Sequence, residues 1–136
     1  MNKVGQVRGG DTAADTRTRT ILICEDEELI CWALEQHLSS LGYEVVSSDD
    51  GLSCVDRLAG RMPDLIILDL VMPNGGGLSV LEHLRAAPKR PPTLLLTAHA
   101  PTHGDVVAAK ALGIDAYLTK PFSLEELAVV VRRLLS

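Results

Sequence analysis

The apolar residues of this chain gather in five short runs, separated by stretches with helical spacing. Leu65-Ile66-Ile67-Leu68 is the densest run, with Asp64 before it and Asp69 after it. It is too short for a free-standing helix, and Pro73 with Gly75-Gly76-Gly77 forces a loop soon afterwards. An apolar run without alternation reads as a strand buried on both faces, the habit of parallel sheets covered by helices. Thr20 to Cys24 and Thr93 to Leu96 have the same character, so these three strands are expected at the centre of the sheet. Tyr43 to Ser48 mixes polar with apolar residues, as an edge strand does, and Ala116 to Thr119 gives a short fifth strand.

Between these runs the period becomes helical. Leu29, Ile30, Ala33, Leu34, His37, Leu38 and Leu41 predict a first helix, which Gly42 stops. Glu27 and Glu28 suit its first turn, where the helix dipole favours negative charge. Leu52, Val55, Leu58 and Ala59 predict a short second helix, entered through Asp49-Asp50-Gly51 and closed by Gly60 and Pro63. Leu78, Leu81 and Leu84 mark a third, and Thr102 to Leu112 a further helix stopped by Gly113. Ser123 and Glu126 have capping-box spacing, and they open a last helix that buries Leu124, Leu127, Ala128, Val131, Leu134 and Leu135. Regular alternation of strand and helix predicts an α/β domain with a parallel sheet, right-handed crossovers and helices on both faces. Residues 1–19 show neither period and read as a disordered tail, leaving residues 20–136 as one domain.

Composition narrows the function. A length of 136 residues suits a single core, and a hydrophobic content of 46% is too high for disorder. No apolar run approaches the ~18 residues of a membrane span, and no secretory leader opens the chain, so a cytoplasmic protein is expected. The formal charge is −5. Lys3, Arg8, Arg17 and Arg19 against Asp11 and Asp15 give residues 1–19 a local +2, which leaves −7 on the rest. An acidic body argues against direct nucleic-acid binding, which needs clustered Lys and Arg. Cys24, Cys31 and Cys54 form no C-x-x-C pair and read as reduced, mostly buried thiols. His99 and His103 are four apart, but Pro101 between them breaks the helix that would align them on a metal.

Candidate chemistry lies at the carboxyl ends of the strands, where open α/β sheets bind ligands. The first strand delivers Glu25 and Asp26, the third Asp69, the fourth Thr97 and the fifth Lys120. Converging carboxylates need a cation, and magnesium takes such oxygens, usually beside a phosphate. A lysine supplies a point charge for a phosphoryl oxygen, and a carboxylate can accept a phosphoryl group covalently. The turn after the fifth strand must aim Lys120 at Asp69, which predicts a cis Lys120–Pro121 bond.

With these residues in view, residues 20 to about 135 resemble the receiver domain of two-component response regulators. The matching pieces are Ile-Leu-Ile-Cys-Glu25-Asp26-Glu, Leu-Ile-Ile-Leu-Asp69-Leu-Val-Met-Pro73 with Gly77, Leu-Leu-Leu-Thr97-Ala98, and Ala-Tyr117-Leu-Thr-Lys120-Pro121-Phe122. The resemblance implies a flavodoxin-like fold with strand order 2-1-3-4-5. It implies that Asp69 takes a phosphoryl group from a histidine kinase or a histidine phosphotransfer protein. Asp26 and Asp69 would bind magnesium by side chain, Val71 by its backbone carbonyl, and Glu25 would help. Thr97 and Lys120 would hold phosphoryl oxygens, and Tyr117 would be the switch aromatic that moves with Thr97. Such a protein is no conventional enzyme, although it catalyses its own magnesium-dependent phosphorylation and dephosphorylation. The residues flanking the hydrolytic water's path would be Val71 and His99, which implies a long-lived phosphoryl form.

The chain departs from the family pattern at Glu25, where Asp is usual, and in Asn74-Gly75-Gly76-Gly77, where an acidic residue usually precedes the glycine and where a flexible loop is expected. The last helix reaches the end of the sequence, so a stand-alone receiver is expected, passing its signal to a downstream protein. Val107 and Val129 are left over by the periodicity. They mark the face of the 102–112 helix, the fifth strand and the last helix as a docking surface or a homodimer contact. Two other readings compete. One is a degenerate receiver that acts as a phosphorylation-independent interaction module, which the full set of Asp26, Asp69, Thr97 and Lys120 disfavours. The other is an aspartyl-nucleophile hydrolase, whose usual second Asp is replaced here by Val71.

Overall fold

The computed structural model describes residues 17–72, 74, 76–98, 107 and 110–136. Five parallel strands form one sheet in the order β2-β1-β3-β4-β5. They are β1 Thr20–Cys24, β2 Glu44–Ser48, β3 Leu65–Asp69, β4 Thr93–Thr97 and β5 Ala116–Thr119. Four helices are described in full: α1 Glu28–Ser40, α2 Gly51–Gly60, α3 Gly76–Arg85 and α4 Leu124–Leu135. The fold is the flavodoxin-like one that the alternation and the family resemblance predict. Most of the predicted 102–112 helix lies outside the described residues, as do His99, His103 and residues 1–16; Val107, Lys110 and Ala111 are helical.

Successive side chains of a strand point to opposite faces, and the core divides accordingly. Ile21, Ile23, Leu65, Ile67, Leu94 and Leu96 pack with α1 and α4 on one face. Leu22, Cys24, Ile66, Leu68 and Leu95 pack with α2 and α3 on the other. β1 and β3 are buried along their whole length, which is why they read as unbroken apolar runs. β2 is an edge strand with a mixed burial pattern. Below the sheet, Arg17 pairs with Asp64, and Asp64 also accepts from Thr20 N at 2.7 Å.

The helix caps hold as their residues predict. Ser123 accepts from Glu126 N at 2.9 Å, and Asp50 accepts from Ser53 N at 2.7 Å. The Lys120–Pro121 peptide is cis, as expected from the sequence.

Helical spacing does not by itself tell which apolar positions bury. Leu29 is 83% exposed, and Leu41, Leu52 and Leu78 are exposed as well. In α1 the buried residues are Leu34 and Leu38. Leu29 precedes Leu34 by five residues, and at 3.6 residues per turn that rotates it about 140° off the buried stripe. Leu52 and Leu78 lie in the first turns of α2 and α3, and deeper residues such as Cys54 and Val80 bury instead.

The sulfur atoms of Cys24 and Cys54 are neighbours, with Cα atoms 6.2 Å apart, and Cys31 stands apart from them. The two cysteines are 30 residues apart, at the end of β1 and in α2, so no local spacing could announce their meeting.

Candidate functional site

β1, β3 and β5 end side by side, and the residues at or just beyond their ends meet. Asp69 is the last residue of β3, and Glu25 follows β1 directly. Lys120 follows β5, and its backbone N donates to Thr97 O at 2.7 Å, which ties it to the end of β4. The Lys120 ammonium reaches three carboxylates: Glu25 Oε1 at 2.9 Å, Glu27 Oε1 at 2.9 Å and Asp69 Oδ2 at 3.3 Å. The other oxygens of the two buried acids are held by backbone amides two residues on. Glu27 N donates to Glu25 Oε2 at 3.1 Å, and Val71 N donates to Asp69 Oδ1 at 3.1 Å. The Asp69 carboxylate is thus held from both sides before any ligand arrives.

The described residues that follow β3 are hydrogen-bonded to their surroundings. Gly77 N donates to Leu70 O at 2.9 Å, and Asn74 Nδ2 donates to Asp50 Oδ2, the cap of α2, at 2.9 Å. Asn74 and Gly76 both take positive φ, 55° and 63°, which suits their residue types in a tight turn. Gly77, one of these glycines, allows α3 to press against the end of β3; Gly75 lies outside the described residues.

Three carboxylates surround one ammonium, an excess of negative charge. Burial pushes the Glu25 carboxyl up to about 7, against the lowering effect of the Lys120 ammonium beside it. For Lys120, burial works against the charge, but the closeness of Glu25 and Glu27 outweighs it and holds the ammonium above the usual lysine range. The Glu25 shift has a consequence for stability. Its folded value of about 7 lies above its ordinary value of 4.5, so between these limits the folded chain holds a proton that the unfolded chain has released. That contribution is complete below 4.5 and is lost as pH rises through about 7. The metal-free chain should lose on the order of 1–3 kcal/mol between pH 5 and pH 8. Urea denaturation across that range checks it: Glu25→Gln should flatten the profile, and a flat wild-type profile would contradict it.

Among the described residues, Glu25, Glu27 and Asp69 form the group able to share a cation, with oxygens within 4.8 Å of one another. Asp26 is exposed beside Glu25 and is not among these three. Such hard oxygens suit magnesium, which keeps several waters and takes few carboxylates. Thr97 is half-buried at the end of β4, Val71 is exposed, and Tyr117 on β5 is 45% exposed. Sequence reasoning missed Glu27, which reads there as a first-turn helix residue. The available signal was its place two residues beyond Glu25, in a run of four acids at a strand end.

The family model of the response regulator receiver domain matches residues 21–132. The chain belongs to the receiver-domain family of response regulators. This receiver is 39% identical over 119 residues to the response regulator MprA of Mycobacterium sp. (strain KMS), a match covering 85% of the chain and 50% of the relative. It therefore spans about half the length of the curated relatives it matches. Among solved structures it is similar to the chemotaxis response regulator CheY4 of Vibrio cholerae, with TM-score 0.81, 28% identity, and 88% and 100% of the two chains covered. It is also similar to the receiver domain of a sensor histidine kinase from Pseudomonas aeruginosa, with TM-score 0.78, 32% identity, and 88% and 98% covered. That structure carries a magnesium ion coordinated in its active-site cleft. No described helix of the present receiver is long and apolar enough to cross a membrane.

Proposed function

We propose that this receiver accepts a phosphoryl group on Asp69 from the phosphohistidine of a histidine kinase or a histidine phosphotransfer protein. The observation that carries the reading is the Lys120 ammonium 3.3 Å from Asp69 Oδ2, while Val71 N holds Oδ1. In the transfer, a carboxylate oxygen of Asp69 forms the bond to phosphorus as the bond from phosphorus to the donor imidazole breaks, and the imidazole leaves with the electron pair. Phosphoryl transfer asks mainly for positioning and neutralised charge. The Val71 amide and Lys120 orient the acceptor, and Lys120 and Thr97 would then hold phosphoryl oxygens. Magnesium, held by Asp26, Asp69 and the Val71 carbonyl with help from Glu25, would supply positive charge beside them. Val71 carries no group to orient a water for hydrolysis, which favours a persistent phosphoryl form.

The signal would pass through Thr97 and Tyr117 to the face of the 102–112 segment, β5 and α4. Val107 and Val129, each 54% exposed, and Tyr117 give that face apolar surface for a downstream protein or a second copy. Incubation with acetyl phosphate and magnesium tests the reading: the chain should take up about one phosphoryl group in an adduct stable to acid and labile to base. A chain that takes up none would sink it.

A further inference from the structure

We propose that Glu27 positions the Lys120 ammonium and competes with the incoming phosphoryl group for it, so that Glu27 restrains phosphoryl uptake. The inference rests on the reading that Asp69 is the acceptor. A lysine ammonium has three N–H donors, and three carboxylates stand within ion-pair distance of Lys120. Two of the donors are engaged, by Glu27 Oε1 at 2.9 Å and Asp69 Oδ2 at 3.3 Å, while Glu25 Oε1 is an ion-pair neighbour without a hydrogen bond, so a phosphoryl oxygen arriving at Asp69 competes with these carboxylates for the ammonium. Glu25 does not yield cheaply: its side chain is fully buried, so water cannot take the place of the ammonium beside it. Asp69 is itself the reacting group. The Glu27 side chain is 59% exposed, so water can replace the ammonium there at little cost. Glu27 is therefore the partner that gives way.

Until it does, Glu27 opposes the reaction twice. It holds one of the three ammonium donors, and it places a negative charge at the mouth of the site, where the anionic donor enters. Its position is fixed by the backbone. Its N is bonded to Glu25 Oε2 at 3.1 Å, and its O accepts from Cys31 N at 2.9 Å. Charge rather than shape carries the restraint, so the isosteric amide should release it.

The test measures uptake from acetyl phosphate at saturating magnesium by the full chain and by Glu27→Gln and Glu28→Gln. Glu28→Gln removes the same charge one residue away. Glu27→Gln should be faster by roughly three- to tenfold, the size of one screened charge acting on a dianion. It should gain less with phosphoramidate, a less negative donor, while Glu28→Gln stays near wild type. In magnesium-free chain, the NMR signals of the Lys120 side chain should shift in Glu27→Gln and hold in Glu28→Gln. Glu27→Gln uptake equal to or slower than wild type, an equal gain in Glu28→Gln, or an unmoved Lys120 signal would each overturn the inference while Asp69 remains the acceptor. Wild-type chain that takes up no phosphoryl group would overturn the proposed function, and this inference with it.

Discussion

Asp69→Asn should abolish phosphoryl uptake, with a loss of at least about a hundredfold in rate, because a carboxamide lacks the nucleophilic oxygen that the transfer needs. The same substitution should leave the fold intact. Asn retains the shape of Asp and an oxygen for the Val71 amide, so the hydrogen bond at 3.1 Å can persist. It also removes one of three carboxylates crowded around Lys120. The Asp69 charge is one of the influences that raise Glu25, so its removal should move Glu25 back toward its ordinary value. Stability near pH 7 should accordingly be equal to or greater than that of wild type. Phosphorylation assays paired with urea denaturation check both halves. Retained uptake would remove Asp69 from its role, and lost uptake with a lost fold would leave the role without support.

Gly77→Ala should be the most damaging small substitution near the site. A Cβ at this position would stand 2.6 Å from Asp69 O and 2.8 Å from Leu70 Cα. Both are backbone atoms of the strand end that carries Asp69, so neither can swing aside as a side-chain tip could. Overpacking of this kind costs about 1–3 kcal/mol, and here the strain would fall directly on Asp69. Reduced stability and slowed phosphoryl uptake are expected together. Gly51 is similarly enclosed, with Asn74 O 2.5 Å from its Cβ position. Gly60 is the control: nothing lies within 4 Å of its Cβ position, and Gly60→Ala should be neutral or stabilise by up to about 1 kcal/mol. The urea midpoints of the three variants check this ordering, and a Gly77→Ala protein as stable as Gly60→Ala would refute it.

The strands were legible because β1, β3 and most of β4 are buried on both faces, which leaves no polar alternation to confuse them. The strand order needed the family resemblance, since periodicity says which strands are central but not how they neighbour. The meeting of Glu25, Asp69 and Lys120 could be anticipated because strand ends of a parallel sheet converge on one edge. Glu27 was hidden by its helix: in sequence it is a charge suited to a dipole, and only the path of Lys120 reveals a second partner. Which residues of α1 bury was not legible, because Leu29 fits a helical period yet sits beyond the width of one face. The Cys24–Cys54 pair and the closeness of Gly77 to Asp69 are contacts between elements, which one-dimensional spacing does not carry.

Asp69 is proposed as the phosphoryl acceptor. The most direct measurement is to treat the full chain with acetyl phosphate and magnesium, reduce with borohydride, and map the peptides by mass spectrometry. Borohydride converts an aspartyl phosphate to homoserine and leaves free carboxylates alone. The account predicts one homoserine, at position 69, dependent on magnesium. Conversion at another carboxylate, or none at position 69 under conditions where the chain is folded, would contradict it.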